Sequence, residues 1–409
     1  MKYFVEGPTF DKRVDCVTFS VCAGNPLSSY DPLDRMTTGA SARLKLGITT
    51  VGTWVLLSIA GLTLLSSRPV AEIATMAVDL SRLSLASWIT LYLLVQLPFD
   101  WVGGVLFARR FDPPGKRRQR FWRSWLRGAL VQGLFFWGVG CGLMTAARYG
   151  GFFFSLMLIG LLICCLIGLQ RFMLHLVSGL RLDGDGGERR TGLLWRECDC
   201  EEIAFSGGVI GWFGHERIVV PRAWKRLLSP SQFLRLIDRR HLQITSGQRS
   251  RGVLVAGGWI WLGAILALLL EGGEVARPLD VVRFSLWMTL WQFLGLLLLP
   301  TLSRNATFSL DQQQTLLDGG PGNQVDFITA TSRLTEGEQE RNQIVEAIFH
   351  PLPSVTNRIK ALDQHQGSRG AWNANRMMLY LAWASLGLLS RAVHCNVGRP
   401  LLWILPPVD

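Results

Sequence analysis

Six long apolar runs constrain the fold of this chain more than any other feature of its sequence. Each run has about 20 residues with few charges, which as a helix is long enough to cross about 30 Å of hydrocarbon. Backbone polar groups find no water there, so such runs cross the membrane as helices. We place membrane spans at 47–66, 86–108, 129–147, 152–174, 253–270 and 283–302. The very short connection between the third and fourth runs predicts a tight helical hairpin.

The composition agrees with this interpretation. Of the 409 residues, 49% are hydrophobic and only 18% are charged, against about 25% charged in a typical soluble protein. The net charge of +12 does not by itself indicate nucleic acid, because Lys and Arg collect on the cytoplasmic flanks of spans and beside anionic lipid heads. We expect membrane lipids as partners and no nucleic acid.

The distribution of basic residues predicts the orientation. The arm 1–46 and the loop 109–128 are rich in Lys and Arg, whereas the loops after the first and fifth spans are not. Positive charge favours the cytoplasmic side. The arm, expected to be mobile, and the segments 175–252 and 303–376 are therefore placed in the cytoplasm.

These two cytoplasmic segments are separated by the two spans in 253–302, and the four-span region 47–174 precedes them. Each segment is too small to bury a large core alone, so we expect them to pack together. The first contains strand-like pieces followed by a helix that starts at "SPSQ", with Ser229 as the cap and Pro230 in the first turn. The predicted fold is mainly α: a polytopic helical membrane protein with a small α+β cytoplasmic domain split by two spans.

Three further features leave alternatives open. The last apolar run, 377–393, within the C-terminal segment 377–409, is short and contains Arg391. It could span, lie in the interface or pack on the cytoplasmic part, and we favour the latter two. Asp100 lies either inside the second span, where a carboxylate suggests function, or at its interfacial end. Cys198 and Cys200 form a C-x-C that we interpret as plain reduced thiols, because no second pair follows at zinc-finger spacing.

The loop 109–128 also predicts a lipid-facing helix. Basic side chains surround an aromatic face there, which suits a helix lying on an anionic leaflet; the alternative is a topology signal alone. The candidate lipid-surface residues are Arg117, Arg118, Arg120, Arg123 and Arg127.

The order of several motifs carries a family resemblance. "IAFSGG" (203–208) precedes "RIVVPRAWKRLLSPSQFLRLIDRRHLQI" (217–244), two spans follow, and then come "SRNATFSLD" (303–311) and "FHPLPSVTNRIKAL" (349–362). This order resembles the HtpX-like membrane zinc metalloproteases, whose relatives include the CAAX prenyl-protein endoproteases. The resemblance covers roughly 200–362 and leaves the first four spans and the C-terminal 45 or so residues unexplained.

The resemblance implies a zinc peptidase fold but fails at the positions of its chemistry. Arg239 and Gln243 stand where the family has the two histidines of His-Glu-x-x-His, and Arg240 stands at the general-base Glu. Thr307 replaces the third ligand, a Glu. The positions that keep the family residue are Asp311, His350 and Arg358.

Arginine cannot ligate zinc, because it stays protonated and only donates hydrogen bonds. Glutamine and threonine are poor ligands, and no base remains to take a proton from a zinc-bound water. We therefore expect no cofactor, the family's zinc being lost, and a pseudoprotease. A residual metal site at His215, His241 and Asp311 remains an outside alternative. Arg239 or Arg240 is expected either to pair with Asp311 or to face solvent, and His350 and Arg358 to be structural.

The resulting functional hypothesis is a bacterial inner-membrane protein that binds a peptide or membrane-protein client, or regulates a partner protease. A peptide groove is expected along an edge-like strand formed by Arg217, Ile218, Val219, Val220 and Pro221, because strand edges pair with extended peptides. Two alternatives stay open: an active metalloendopeptidase with atypical ligands, and a structural or lipid-interacting protein that works through 109–128.

Overall fold

A computed structural model gives the structure of the chain. It describes the backbone of residues 32–66, 81–111, 117–185, 195–200, 202, 205–211, 213–317, 320–335, 338–364 and 370–405. Residues 1–31 of the arm that was expected to be mobile (1–46) lie outside the described residues. Residues 32–46 belong to the first helix, which begins at Pro32.

The described residues are mostly helical. The helices are α1 (Pro32–Leu65), α2 (Ser81–Trp101), α3 (Phe107–Phe111), α4 (Arg117–Gly168), α5 (Gln170–Ser178), α6 (Arg222–Leu227), α7 (Pro230–Thr245), α8 (Gln248–Leu270), α9 (Pro278–Leu317), α10 (Pro321–Leu334), α11 (Gln343–Phe349), α12 (Val355–Asp363) and α13 (Ala374–Leu381). A π-helical turn at Val102–Leu106 joins α2 to α3, and short 3-10 helices occupy Ala382–Ser385, Leu388–Arg391 and Pro400–Trp403.

Five of these helices are long and apolar enough to cross a membrane. The six predicted runs fall on these five stretches, because α4 holds the third run and most of the fourth, which continues into α5. The second run covers α2, the π-helical turn and part of α3. The helix breaks at Gly151, whose backbone has φ 58° and ψ −138°, a conformation that glycine adopts at little cost. A Cβ placed on Gly142 would lie 3.1 Å from the side chain of Leu158, so the two arms fold back on each other as a hairpin. The chain is an integral membrane protein.

A four-stranded sheet lies in the part outside the spans. The strands are β1 (Leu182–Asp185), β2 (Trp195–Cys198), β3 (Gly208–Ile210) and β4 (Arg217–Pro221), in the order β1-β2-β4-β3. β4 pairs in parallel with β2 and antiparallel with β3. It is therefore an inner strand of the sheet.

The segments 175–252 and 303–376, which the sequence analysis places in the cytoplasm, share one apolar core. Trp195 and Ile218 from the sheet and Phe233 and Leu236 from α7 pack with Phe327 of α10, which belongs to the second segment. The two segments thus bury their apolar side chains together across the intervening spans, as small segments must.

The C-terminal segment, which we define as residues 370–405, packs inside the bundle of spanning helices. Nearly all its residues are buried, and α13 contacts α8, α9 and α4. The expectation that 377–393 lies in the interface or on the cytoplasmic part was wrong. The C-terminal segment begins between the spans α8 and α9. A Cβ on Gly252 of α8 would collide with the backbone oxygen of Trp372, and a Cβ on Gly370 would collide with the backbone of Ala306 in α9.

Asp100 anchors this segment. The carboxylate lies fully buried in α2 and accepts hydrogen bonds from Arg391, from the indole of Trp125 (2.9 Å) and from the backbone N–H of Gly398 (2.8 Å). Arg391 also donates to Gln132 at 3.0 Å and lies 4.0 Å from the ring centroid of Trp403. Asp100 thus lies within the apolar helical stretch Ser84–Arg110, and its contacts hold the C-terminal segment.

Candidate functional site

Helix α7 carries three of the residues that the sequence resemblance aligns with catalytic positions. A capping box fixes its start: the Ser229 hydroxyl accepts from the backbone N–H of Gln232, and the Gln232 side chain accepts from the backbone N–H of Ser229. Both interactions satisfy amide groups that a helix end leaves unpaired. Arg239, Arg240 and Gln243 are buried farther along this helix. Their side chains therefore belong to the interior and not to the solvent-facing surface.

Asp311 of α9 lies at the centre of a buried ion cluster. Arg239 Nη1 donates to Asp311 Oδ1 at 2.6 Å. Arg358 of α12 donates through Nε to Oδ2 and through Nη2 to Oδ1, both at 2.8 Å. This two-pronged contact is the strong geometry for an arginine and a carboxylate. The expected pairing of Arg239 with Asp311 is present.

Two glutamines complete this cluster. Gln324 of α10 donates to Asp311 Oδ1 at 3.2 Å and to Gln314 Oε1 at 3.3 Å. Gln314 in turn accepts from Arg239 and donates to the backbone oxygen of Arg235. Four helices, α7, α9, α10 and α12, therefore meet on one carboxylate.

Arg240, at the position of the family's general base, lies on the other side of α7. Its guanidinium donates to Gln243 Oε1 and to the backbone oxygen of Ser206, each at 3.4 Å. It also lies 6.0 Å from the ring centroid of Trp372 in the C-terminal segment. A permanently protonated donor in this place cannot accept a proton from water.

The donor set does not fit a catalytic zinc ion. Such a site takes three His, Cys or carboxylate ligands and leaves one position for water. The Thr307 hydroxyl donates a hydrogen bond to the backbone oxygen of Ser303 in its own helix, at 3.2 Å. Asp311, the remaining carboxylate of the set, is surrounded by two guanidinium groups. We therefore derive no zinc-dependent step from this site.

The alternative metal ligands are not brought together. His215 is exposed in the turn before β4, and His241 lies partly exposed on α7, while Asp311 is enclosed by arginines. Among the residues that the structure describes, no group of three or more His, Cys, Asp or Glu side chains could hold a metal ion.

His350 ends α11 as its C-cap residue, and Ser354 rather than His350 stands at the N-cap of α12. Burial, with the charges of Arg341, His394, Arg376 and Arg304, lowers the pKa of His350 far below its usual value. The imidazole is therefore neutral at physiological pH.

The predicted peptide groove at Arg217–Pro221 was wrong in its premise. β4 has strands on both sides, so its backbone groups are already used in the sheet. β3 is the outer strand next to it, and Val209 of β3 packs with Ala306 and Trp372. The sequence of the stretch could not reveal which strand is at the edge, because strand order depends on pairing with the other strands.

The remaining candidate residues are dispersed. Cys198 and Cys200 are buried and take part in no disulfide among the described residues, and burial raises the pKa of the Cys200 thiol. Of the lipid-surface arginines, Arg123 and Arg127 are exposed, and Arg127 donates to the backbone oxygen of Leu176 at 2.7 Å. The side chains of Arg117, Arg118 and Arg120 lie outside the described residues.

Sequence reasoning missed three residues of the site: Gln314, Gln324 and Trp372. Gln314 lies one helical turn after Asp311, which was a usable signal. Gln324 and Trp372 reach the site through the packing of α10 and of the C-terminal segment, which no local pattern shows.

The fold and the site define a polytopic helical membrane protein with a small mixed domain outside the spans. The fold is similar to that in the crystal structure of Ste24p from S. mikatae, with a TM-score of 0.60 over 82% of this chain and 90% of that chain. The two sequences are 11% identical over the match, so the likeness concerns the fold alone. A scan with protein-family models gives no match, and a search of the curated proteins finds no match either.

Proposed function

We propose that this protein is a membrane peptidase homologue that has lost zinc-dependent peptide hydrolysis. Its role is non-catalytic: it binds a client or regulates a partner protease. The Ste24p fold agrees with the resemblance to HtpX-like proteases. The observation that carries the proposal is the ion cluster of Asp311 with Arg239 and Arg358.

A cation is needed beside a buried carboxylate, because an uncompensated buried charge is costly. In a zinc peptidase the metal supplies positive charge next to its ligands. In this chain guanidinium groups supply it, and one of them, Arg239, comes from the position of a lost ligand. The fold can therefore be maintained without metal.

The orientation we propose places this cluster in the cytoplasm of a bacterial cell, below the inner membrane. The basic arm and the loop 109–128 support that side. A client that approaches the cluster would have to displace or contact the C-terminal segment, because Trp372 lies against Arg240.

Peptide cleavage in detergent tests this proposal. The purified protein is incubated with an unstructured protein such as casein, with added Zn²⁺ and with or without a zinc chelator. We expect no chelator-sensitive cleavage. Chelator-sensitive cleavage by the native protein, absent from an Asp311→Ala variant that is still folded, would favour the metalloendopeptidase with atypical ligands. Loss of a cellular phenotype on neutralising Arg123 and Arg127, with the cluster intact, would favour the lipid-interacting alternative.

A further inference from the structure

A cavity of about 290 Å³ lies between α1, α9 and the C-terminal segment. Its size is near the lower end for small-molecule sites. Two of its lining residues are exposed on the spanning helices, Ile48 at 43% and Leu297 at 37%. The cavity therefore borders the outer surface of the spanning helices, which lipid covers in a membrane.

The lining is apolar along most of its length. Val51 of α1, Phe293 and Leu296 of α9 and Leu379 of α13 form its walls. Gly52 also lines it, and a Cβ placed there would meet no atom within 4 Å. The cavity thus offers room for a chain of methylene groups beside a helix that lacks a side chain at this point.

One end of the cavity is polar. It is lined by Asn375, Arg376 and His394 of the C-terminal segment. Asn375 is 5% exposed, and its side-chain oxygen has no hydrogen-bond partner among the described residues. Because the two ends of an amide are interchanged by a flip, this group can present either a donor or an acceptor to a ligand.

Arg376 brings a guanidinium to this end, and the ring of His394, which also lines it, lies 5.2 Å from the ring of His350. Arg304 and Arg341 contribute to lowering the pKa of His350 but do not line the cavity. Arg341 is paired with Glu338 at 2.9 Å. Arg376, which also lines a small cavity beside Thr307, is the guanidinium that both spaces share.

We propose that this cavity binds one acyl chain of an anionic phospholipid from the surrounding leaflet, with its phosphate held at Arg376 and Asn375. An apolar channel that borders the lipid takes the chain, because burying methylene groups is favourable. Arginine and amide donors recognise phosphate oxygens. The second acyl chain stays in the bilayer, outside Ile48 and Leu297.

Native mass spectrometry of the full chain in detergent tests this proposal. The delipidated protein is titrated with phosphatidylglycerol or with phosphatidylcholine of the same acyl chains. We expect one retained phosphatidylglycerol per chain, bound at least tenfold more tightly than phosphatidylcholine. Equal retention of the two lipids, or a retained mass that is a free fatty acid or a peptide, would overturn the assignment.

Two glycine variants locate the site. Gly52→Leu adds a side chain to the cavity lining at a position where a Cβ meets no atom within 4 Å, and it should lower the phosphatidylglycerol affinity at least tenfold. Gly258→Leu is the matched control, because Gly258 also lies in a spanning helix with nothing within 4 Å of an added Cβ; its affinity should equal that of the native chain. The same affinity in both variants would show that the lipid binds elsewhere.

Arg376→Gln tests the headgroup contact. The variant should lose the preference for phosphatidylglycerol while it still retains phosphatidylcholine as weakly as the native chain. A preserved preference in the folded variant would remove Arg376 from the site. Should that variant not fold, the Gly52→Leu comparison alone decides the position of the lipid.

Discussion

At the scale of single residues, the ion cluster around Asp311 replaces the chemistry that its position suggests. Two arginines from different helices bind one buried carboxylate, and Gln324 adds a third donor. Breaking such a buried pair by removing one partner leaves an uncompensated charge, at a cost of about 3–5 kcal/mol. Removal of one member of this cluster is therefore expected to destabilise the part of the chain outside the spans.

Asp311→Asn should accordingly destabilise the protein strongly, because Arg239 and Arg358 then face each other without a counter-charge. We expect a fall in the thermal unfolding midpoint of the detergent-purified protein of several degrees or more. Asp326→Asn is the control, since Asp326 is exposed on α10, and it should leave the midpoint within about a degree. Equal midpoints for the two variants would mean that the cluster contributes no net stability.

His350 predicts a pH dependence. Its pKa in the folded protein is far below the value of about 6.5 that it has when unfolded. The unfolded state therefore binds the extra proton, so the contribution to stability is fully present above about pH 6.5 and is lost as pH falls below that. The thermal unfolding midpoint of the native protein should fall between pH 7.5 and pH 5.5, and that of His350→Gln should fall less over the same range.

The exposed His215 provides the comparison for this measurement. His215→Gln should follow the native pH profile, because its side chain is exposed in the turn before β4. An unchanged pH profile in His350→Gln would contradict the assignment of a buried neutral imidazole.

At the scale of elements, the C-terminal segment packs against the spans at positions where a larger side chain would not fit. It enters between α8 and α9 at Gly252 and Ala306. Inside, Leu388 N and Leu389 N donate to Thr289 and Gln292 of α9. Polar side chains of the spans thus satisfy the backbone of an irregular segment, as hydrocarbon surroundings require.

Gly252→Ala and Gly258→Ala form a matched pair within α8. Alanine raises helix propensity by about 1 kcal/mol over glycine in both positions. At Gly252 the added Cβ collides with the backbone oxygen of Trp372, whereas at Gly258 it meets nothing. We expect Gly252→Ala to lower the thermal midpoint and Gly258→Ala to leave it unchanged or raise it. If Gly252→Ala and Gly258→Ala had the same thermal midpoint, the packing of the C-terminal segment against α8 would be contradicted.

At the scale of the whole molecule, the spans were predictable because their signal is local. Hydrophobic length alone placed the apolar runs, and the short connection near Gly151 indicated the hairpin. The burial of 377–393 was not predictable, because it depends on the gap that several helices leave between them. The peptide groove failed for a similar reason, since strand order is set by pairing across the chain and not by the sequence of β4.

The candidate site divides in the same way. The sequence predicted that Arg239 or Arg240 could pair with Asp311, and the structure shows the pair with Arg239. For Arg358 it predicted only a structural role, and the contact of Arg358 with Asp311 was not predicted. Side-chain packing decides that Arg239 rather than Arg240 reaches the Asp311 carboxylate. Gln324 and Trp372 lie in segments whose position no periodic pattern reports.

The most direct test of the central claim is the zinc content of the purified native protein, measured by elemental mass spectrometry after equilibration with trace Zn²⁺ and removal of free metal. The ion cluster predicts a value near zero, because guanidinium groups take the place of the ligands and cannot bind a cation. A value near one zinc per chain, lost on substituting Asp311, His215 or His241, would contradict the account and favour the active metalloendopeptidase.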